Sequence, residues 1–359
     1  MLSERHTNKA IANWLARWLN NDVPQPTECV CDQSLALLSA IVQSFTQYSS
    51  LREYVNVCAN LVRGELPITS QWLPKCFVRV DVAHFIKLAC KWIPLKTVQK
   101  RVKEIILRTI GLLIKCQSFS DMHSLLSSLF IVLINETDGN DKETGIETIC
   151  EKHKKYLIHA MSTGFVDFED QFNEIIAMVE NEEELQELIQ GEYDQQLDGL
   201  DNIINPFQSW AEDIFIKSIS SIQEGTGFNA MYLPTLVPNL IKCMKLLPLW
   251  SGLMIPIFGF GDETASSSAV ESTFRKIKNI TFKNIALPTN IEHFIEHHSA
   301  SLKGTSLLRS SHYTPTSNAN DLEKVIPVST DDSINFFLLP IHHNNSDEPI
   351  DAFLVVSST

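Results

Sequence analysis

The stretch that most constrains the fold is Lys75 to Trp92, KCFVRVDVAHFIKLACKW. Phe77, Val78, Val80 and Val82 are β-formers in a short apolar run bounded by polar residues, the pattern of a buried strand. From His84 the spacing changes, and Phe85, Leu88, Ala89 and Trp92 recur at three and four, the stripe of a helix. Asp81 falls near the end of the strand, with His84 three positions on. A carboxylate at the carboxyl end of a buried strand stands where open α/β sheets place their ligands.

The segments before this junction repeat its logic. Ile11, Trp14, Leu15 and Leu19 line one face of an amphipathic helix over 8–20. ECVCD, residues 28–32, reads as a short strand ending in Asp32, and the apolar run Leu35 to Phe45 as a helix. A further helix covers 51–63. The first ninety or so residues are therefore α/β, with both strands ending in Asp just before a helix.

From about 95 to 250 the pattern is helical only, with ETDGNDKETG (136–145) as a loop. The second informative stretch is 257–283, where a Gly-containing loop passes into Ser266–Ser268 and a helix starts near Ala269, with Val270, Phe274 and Ile277 on its core face. Beyond Lys303 the composition turns to Ser, Thr, Asn and Asp, that of a low-order tail, in which the apolar islands 335–341 and 352–356 could pair as a hairpin. The expected organisation is a partial α/β core over 1–95, an all-helical insertion over 96–250, a return to the core over 251–302, and a polar tail over 303–359.

Charge is unevenly placed. The net charge is −14, yet thirteen of the 43 acids lie between 166 and 201, where there is no Lys or Arg; outside it 30 acids face 29 bases. One acidic helical segment carries the imbalance. The eight cysteines include no CxxC pair and read as reduced core thiols rather than a disulfide framework or zinc ribbon. The opening MLSERHTNK lacks the apolar core of a signal peptide, and the apolar run Leu246 to Phe260 is too short and too proline-rich for a spanning helix. A nuclear or cytoplasmic protein, not secreted and not in a membrane, is the expectation.

Asp32, Asp81 and Glu271 are the candidate functional acids. Two strand-end carboxylates and a third from a distant helix can converge on one spot, and phosphodiester chemistry with paired divalent cations uses such a cluster. Each acid also lies near a predicted helix N-terminus, where Asp is a favoured cap, and Ser268-x-x-Glu271 is a capping box. His293 and His297 stand at i, i+4 without a third ligand, and His342 and His343 lie in the tail. The basic helix 96–108 could touch a nucleic-acid backbone, although basic faces are usually just solvated.

Three blocks, CDQSLALLSAIVQSF (31–45), FVRVDVAHFIKLACKW (77–92) and ASSSAVESTFRKIKNITFK (265–283), resemble the DDE transposases of the Mutator-like and hAT-like elements, whose catalytic core is RNase H-like. The resemblance covers roughly residues 1–300. It implies an incomplete RNase H-like core with few parallel strands and a large helical insertion. It also implies Mg²⁺ or Mn²⁺ held by Asp32 and Glu271, an accessory Asp-x-x-His signature at Asp81 and His84, and DNA as partner. Arg275, Lys276, Lys278 and Lys283 would be the backbone contacts.

In the family the first catalytic Asp lies on a strand upstream of the first helix, and no residue here matches it. The expectation is a transposase-derived protein, truncated at its N-terminal side, with exposed strand edges, with the cation not bound productively without that first Asp, and with DNA cleavage and strand transfer lost. From another class, the acidic helix 166–201 and the helical middle would instead form a scaffold for partner proteins.

Overall fold

A computed structural model describes residues 7–21, 23–164, 205–262, 265–266, 283, 293, 296–297, 299–304 and, as backbone, 353–356. Two compact units divide the chain: Met1–Ser267 with Asp351–Thr359, and Ser268–Ile350.

The first unit is an α/β, helix-rich structure. In order come α1 (Asn8–Asn20), β1 (Glu28–Cys31), α2 (Leu35–Phe45), α3 (Leu51–Val62), β2 (Phe77–Val80) and α4 (Val82–Cys90). Helical elements follow as α5 (Ile93–Lys96), α6 (Lys100–Lys115) and α7 (Phe119–Ile134), then β3 (Thr137–Asp141), α8 (Ile149–Gly164), α9 (Pro206–Ile219), β4 (Gly225–Phe228) and α10 (Val237–Cys243). Local chemistry starts these helices where it should. Thr7, Ser34, Ser50, Ser118 and Asn205 each accept a first-turn N–H, satisfying a donor that has no intrahelical partner.

β1 and β2 pair in parallel, with Glu28 opposite Phe77 and Cys31 opposite Val80. Every residue of both strands is buried, as in parallel sheets covered on both faces. A third strand, β5 (Phe353–Val356), pairs in parallel with the other edge of β1. The expected exposed edge beside β1 is thus covered by residues 353–356 of the apolar island, while the other island, 335–341, lies outside the described residues. So does most of the expected tail.

The stretch read as helical only is not so throughout. β3 and β4 form an antiparallel two-stranded ribbon inside it, so the insertion is not all-α and residues 137–141 are not a loop. The alternation of apolar residues that marks a strand is missing because the ribbon is held by close backbone approach. A Cβ on Gly225 would lie 2.0 Å from the Asp138 carbonyl oxygen, and one on Gly227 2.3 Å from Asp138 Oδ1.

The helical part and the sheet share one hydrophobic core. Its densest contribution is the proline-rich passage Pro234–Phe258, a string of short helical turns. By length and composition it is apolar and long enough to cross a membrane, and 78% of its most apolar window is buried inside the protein. Trp250 stacks on Phe85 of α4 at 4.5 Å, tying this passage to the helix after β2.

Candidate functional site

Because Cys31 and Val80 are in register, the next residues, Asp32 and Asp81, leave adjacent strands side by side, about 5 Å apart at the usual interstrand spacing. The Asp81 N–H donates to the Cys31 carbonyl at 2.8 Å, so the pairing extends to this last position. Both acids are buried, Asp32 at 8% and Asp81 at 1% exposure. Their fields converge between the strands: the Cys31 thiol is pushed well up, first by burial and then by Asp32 and Asp81.

The two carboxylates are held differently. Asp81 is the N-cap of α4; its Oδ1 accepts from the His84 N–H at 2.8 Å and lies 3.2 Å from His84 Nδ1. The Asp81–His84 spacing is thus one turn of a capped helix, with the imidazole a third exposed. Asp32 is not the cap of α2, because Ser34 takes that place with the Leu37 N–H. Asp32 instead accepts a long bond, 3.4 Å, from the Ser34 N–H. Capping accounts for Asp81 and leaves Asp32 without that explanation.

Beneath the acids lies a pair that sequence reasoning missed. Side chains alternate along a strand, which sets Glu28 and Asp32 on one side of β1, and Arg79 and Asp81 on the same side of β2. Arg79 Nη1 bonds Glu28 Oε1 at 2.8 Å in a nearly closed setting, and its guanidinium lies over the Phe77 ring at 5.1 Å. The signal was available: Glu28 and Arg79 are single polar residues in otherwise apolar strand runs.

A strap from the far end of the helical part passes along β2. Phe258 stacks on Phe77 with ring centres 4.4 Å apart. At Gly261, φ is +90° and a Cβ would stand 3.0 Å from the Phe77 ring and 3.1 Å from Arg79 Nη1, so glycine is required both for the backbone and for the space. The strap ends with the Ala265 carbonyl accepting from the Val82 N–H at 3.0 Å, one residue beyond Asp81. A cavity of about 70 Å³ lies here, bordered by Arg79, Val82, Lys115, Trp250, Asp262 and Ala265. The larger cavity, about 410 Å³, lies between α9 and α10 and borders none of the candidate acids.

Glu271, Arg275, Lys276 and Lys278 lie outside the described residues, as do His342, His343 and the acidic segment 166–201. Lys283 is exposed in a turn of the second unit, where the His293 and His297 rings stand 6.0 Å apart. Hard carboxylate oxygens at the sheet end are the donor type that Mg²⁺ takes. Among the described residues no three His, Cys, Asp or Glu side chains come together as a metal site.

No family model and no solved structure matches the chain. Over 298 residues it is 28% identical to the "120.7 kDa protein in NOF-FB transposable element" of Drosophila melanogaster. The alignment takes in 83% of this chain and 26% of that protein, so the chain spans about a quarter of its relative's length. Over most of its length, then, the chain is similar to a protein of a transposable element.

Proposed function

We propose that this chain is transposase-derived and carries the acid-bearing sheet end of an RNase H-like core whose family activity is metal-dependent DNA strand cleavage and transfer. The observation that carries the reading is the Val82–Ala265 hydrogen bond. It sets Ala265 beside the strand end that carries Asp81, and Glu271 follows six positions later in the sequence. The similarity to a transposable-element protein supports the same reading.

In it, Asp32 and Glu271 hold Mg²⁺ or Mn²⁺, and Asp81 with His84 fixes the start of α4 next to them. The cation, when bound, activates the attacking oxygen and stabilises the leaving one. Asp32, joined to its strand end and not engaged as a helix cap, supplies a hard oxygen; the Glu28–Arg79 pair, neutral overall, braces the same side of the sheet. No residue matches the family's first acid, so this chain by itself is expected to bind cation without cutting DNA.

Mn²⁺ binding followed by electron paramagnetic resonance tests the proposal. Asp32→Ala and Glu271→Ala should each weaken binding about tenfold or more. Equal Mn²⁺ binding by both variants and the parent, or none by the parent, would sink it. Metal-dependent nicking of labelled DNA that Asp32→Ala abolishes would overturn the expected inactivity alone.

A further inference from the structure

A run of bases begins six positions beyond Asp81. From Val82 to Lys103 there is no acid, while Lys87, Lys91, Lys96, Lys100, Arg101 and Lys103 contribute six positive charges in a chain of net charge −14. The run follows the second half of α4, all of α5 and the first turn of α6, each base within five positions of the next. Lys96, Lys100 and Arg101 are exposed, and Lys87, Lys91 and Lys103 are half-buried. α6 packs against α4, so these are neighbouring elements of the first unit.

Four bases outside the band are matched with acids, Arg108 with Glu104, Lys142 with Glu224, Lys154 with Glu151 and Lys155 with Glu147, while others such as Lys75, Lys152 and Lys217 make no ion pair among the described residues. Lys87, Lys91, Lys96, Arg101 and Lys103 make no ion pair among the described residues. Lys100, Arg101 and Lys103 also stand in the first turn of α6, where the helix dipole favours acids; that turn has none, and Gln99 makes no capping bond. The three bases at the start of α6 work against the helix dipole, whereas Lys87, Lys91 and Lys96 stand at the ends of α4 and α5, where it favours bases. Local conflicts of this kind mark places where something other than folding selects the residues.

We propose that the band Lys87–Lys103 is a docking surface for the phosphate backbone of duplex DNA. The choice of DNA rests on the functional reading above, whereas the surface itself rests on the charge placement. A regular polyanion suits a band of bases spaced along consecutive helices, and the neutralised phosphates release counterions. These bases are other than those at 275–283 that the family resemblance singles out.

The experiment measures binding of the full chain to a labelled mixed-sequence duplex across a salt series, for the parent, for Lys96→Gln/Arg101→Gln/Lys103→Gln, and for Lys142→Gln/Lys155→Gln. Each lost phosphate contact flattens the log–log salt slope by about 0.9. The band variant should therefore lose about 2.7 from the slope and bind about tenfold or more weaker, with the second variant unchanged. Lys96→Arg/Lys103→Arg, which keeps the charge, should bind like the parent, and this separates a charge effect from damaged folding. A parent that binds duplex with no loss in the band variant overturns the surface and leaves the acid-site reading intact. A parent without duplex affinity overturns the surface as a DNA contact, and the Mn²⁺ experiment decides the acid site separately. Equal competition by polyglutamate makes the band a general anion surface and overturns the assignment to a phosphate backbone.

Discussion

Asp81 and Asp32 leave neighbouring strands together, yet only Asp81 caps a helix. The difference predicts opposite consequences of substitution. Asp81→Ala should cost about 1 kcal/mol in urea unfolding, the usual value of a lost cap, and Asp81→Ser should recover most of it. Asp32→Asn should hold stability within about 1 kcal/mol while weakening Mn²⁺ binding, the pattern of a residue kept for function rather than folding.

Buried thiols and a phenol set a separate limit at high pH. Burial pushes Cys116 and Cys150 up to about 11 and Tyr48 up to about 12. In the unfolded chain thiols ionise near pH 9 and phenols near 10, so above pH 9 the unfolded state holds fewer protons than the folded one. These groups should make stability fall progressively through pH 9–12, which denaturant titrations at stepped pH would read. The reduced-thiol expectation agrees with eight free, buried cysteines.

At the level of elements, the strand–helix junctions at 28–45 and 77–90 were legible because buried parallel strands and amphipathic helices leave strong periodicities. The β3–β4 ribbon was not, since Gly225 and Gly227 give it backbone contact in place of side-chain alternation. Glu28 and Arg79 each stood out as polar residues in apolar strands, but their bond was not legible, because register between strands about fifty positions apart is not written in either one. Arg79→Met would strand the Glu28 carboxylate, buried at 4%, and should cost about 3–5 kcal/mol. Adding Glu28→Leu should restore more than half of that, a coupling measurable by a double-mutant cycle.

Across the whole molecule, the helical passage and the sheet do not have separate interiors. Phe85 after β2 and Trp250 in the proline-rich passage are stacked nearly parallel, and Trp250 Nε1 bonds the Cys243 carbonyl at 3.0 Å. Trp250→Ala should cost about 3–5 kcal/mol. Because the contact joins the two parts, far-ultraviolet circular dichroism and tryptophan fluorescence of the parent should change at the same urea concentration; two separated transitions would contradict a shared core. The positions of Asp32 and Asp81 at strand ends were legible in the sequence. A return to the core over 251–302 was expected, but the path of the strap to residue 265 was not legible, since its glycines and phenylalanines carry no periodicity.

That strap closes an excursion running from Val82 out through the helices and back to Ala265. Along the way, residues 142–145 form an exposed turn after β3, the kind of tip a protease cuts first. A molecule clipped there would consist of two pieces, each holding part of the rim and part of the interior. They should elute from gel filtration as one particle and come apart only in denaturant, and the separately produced pieces should find each other when mixed.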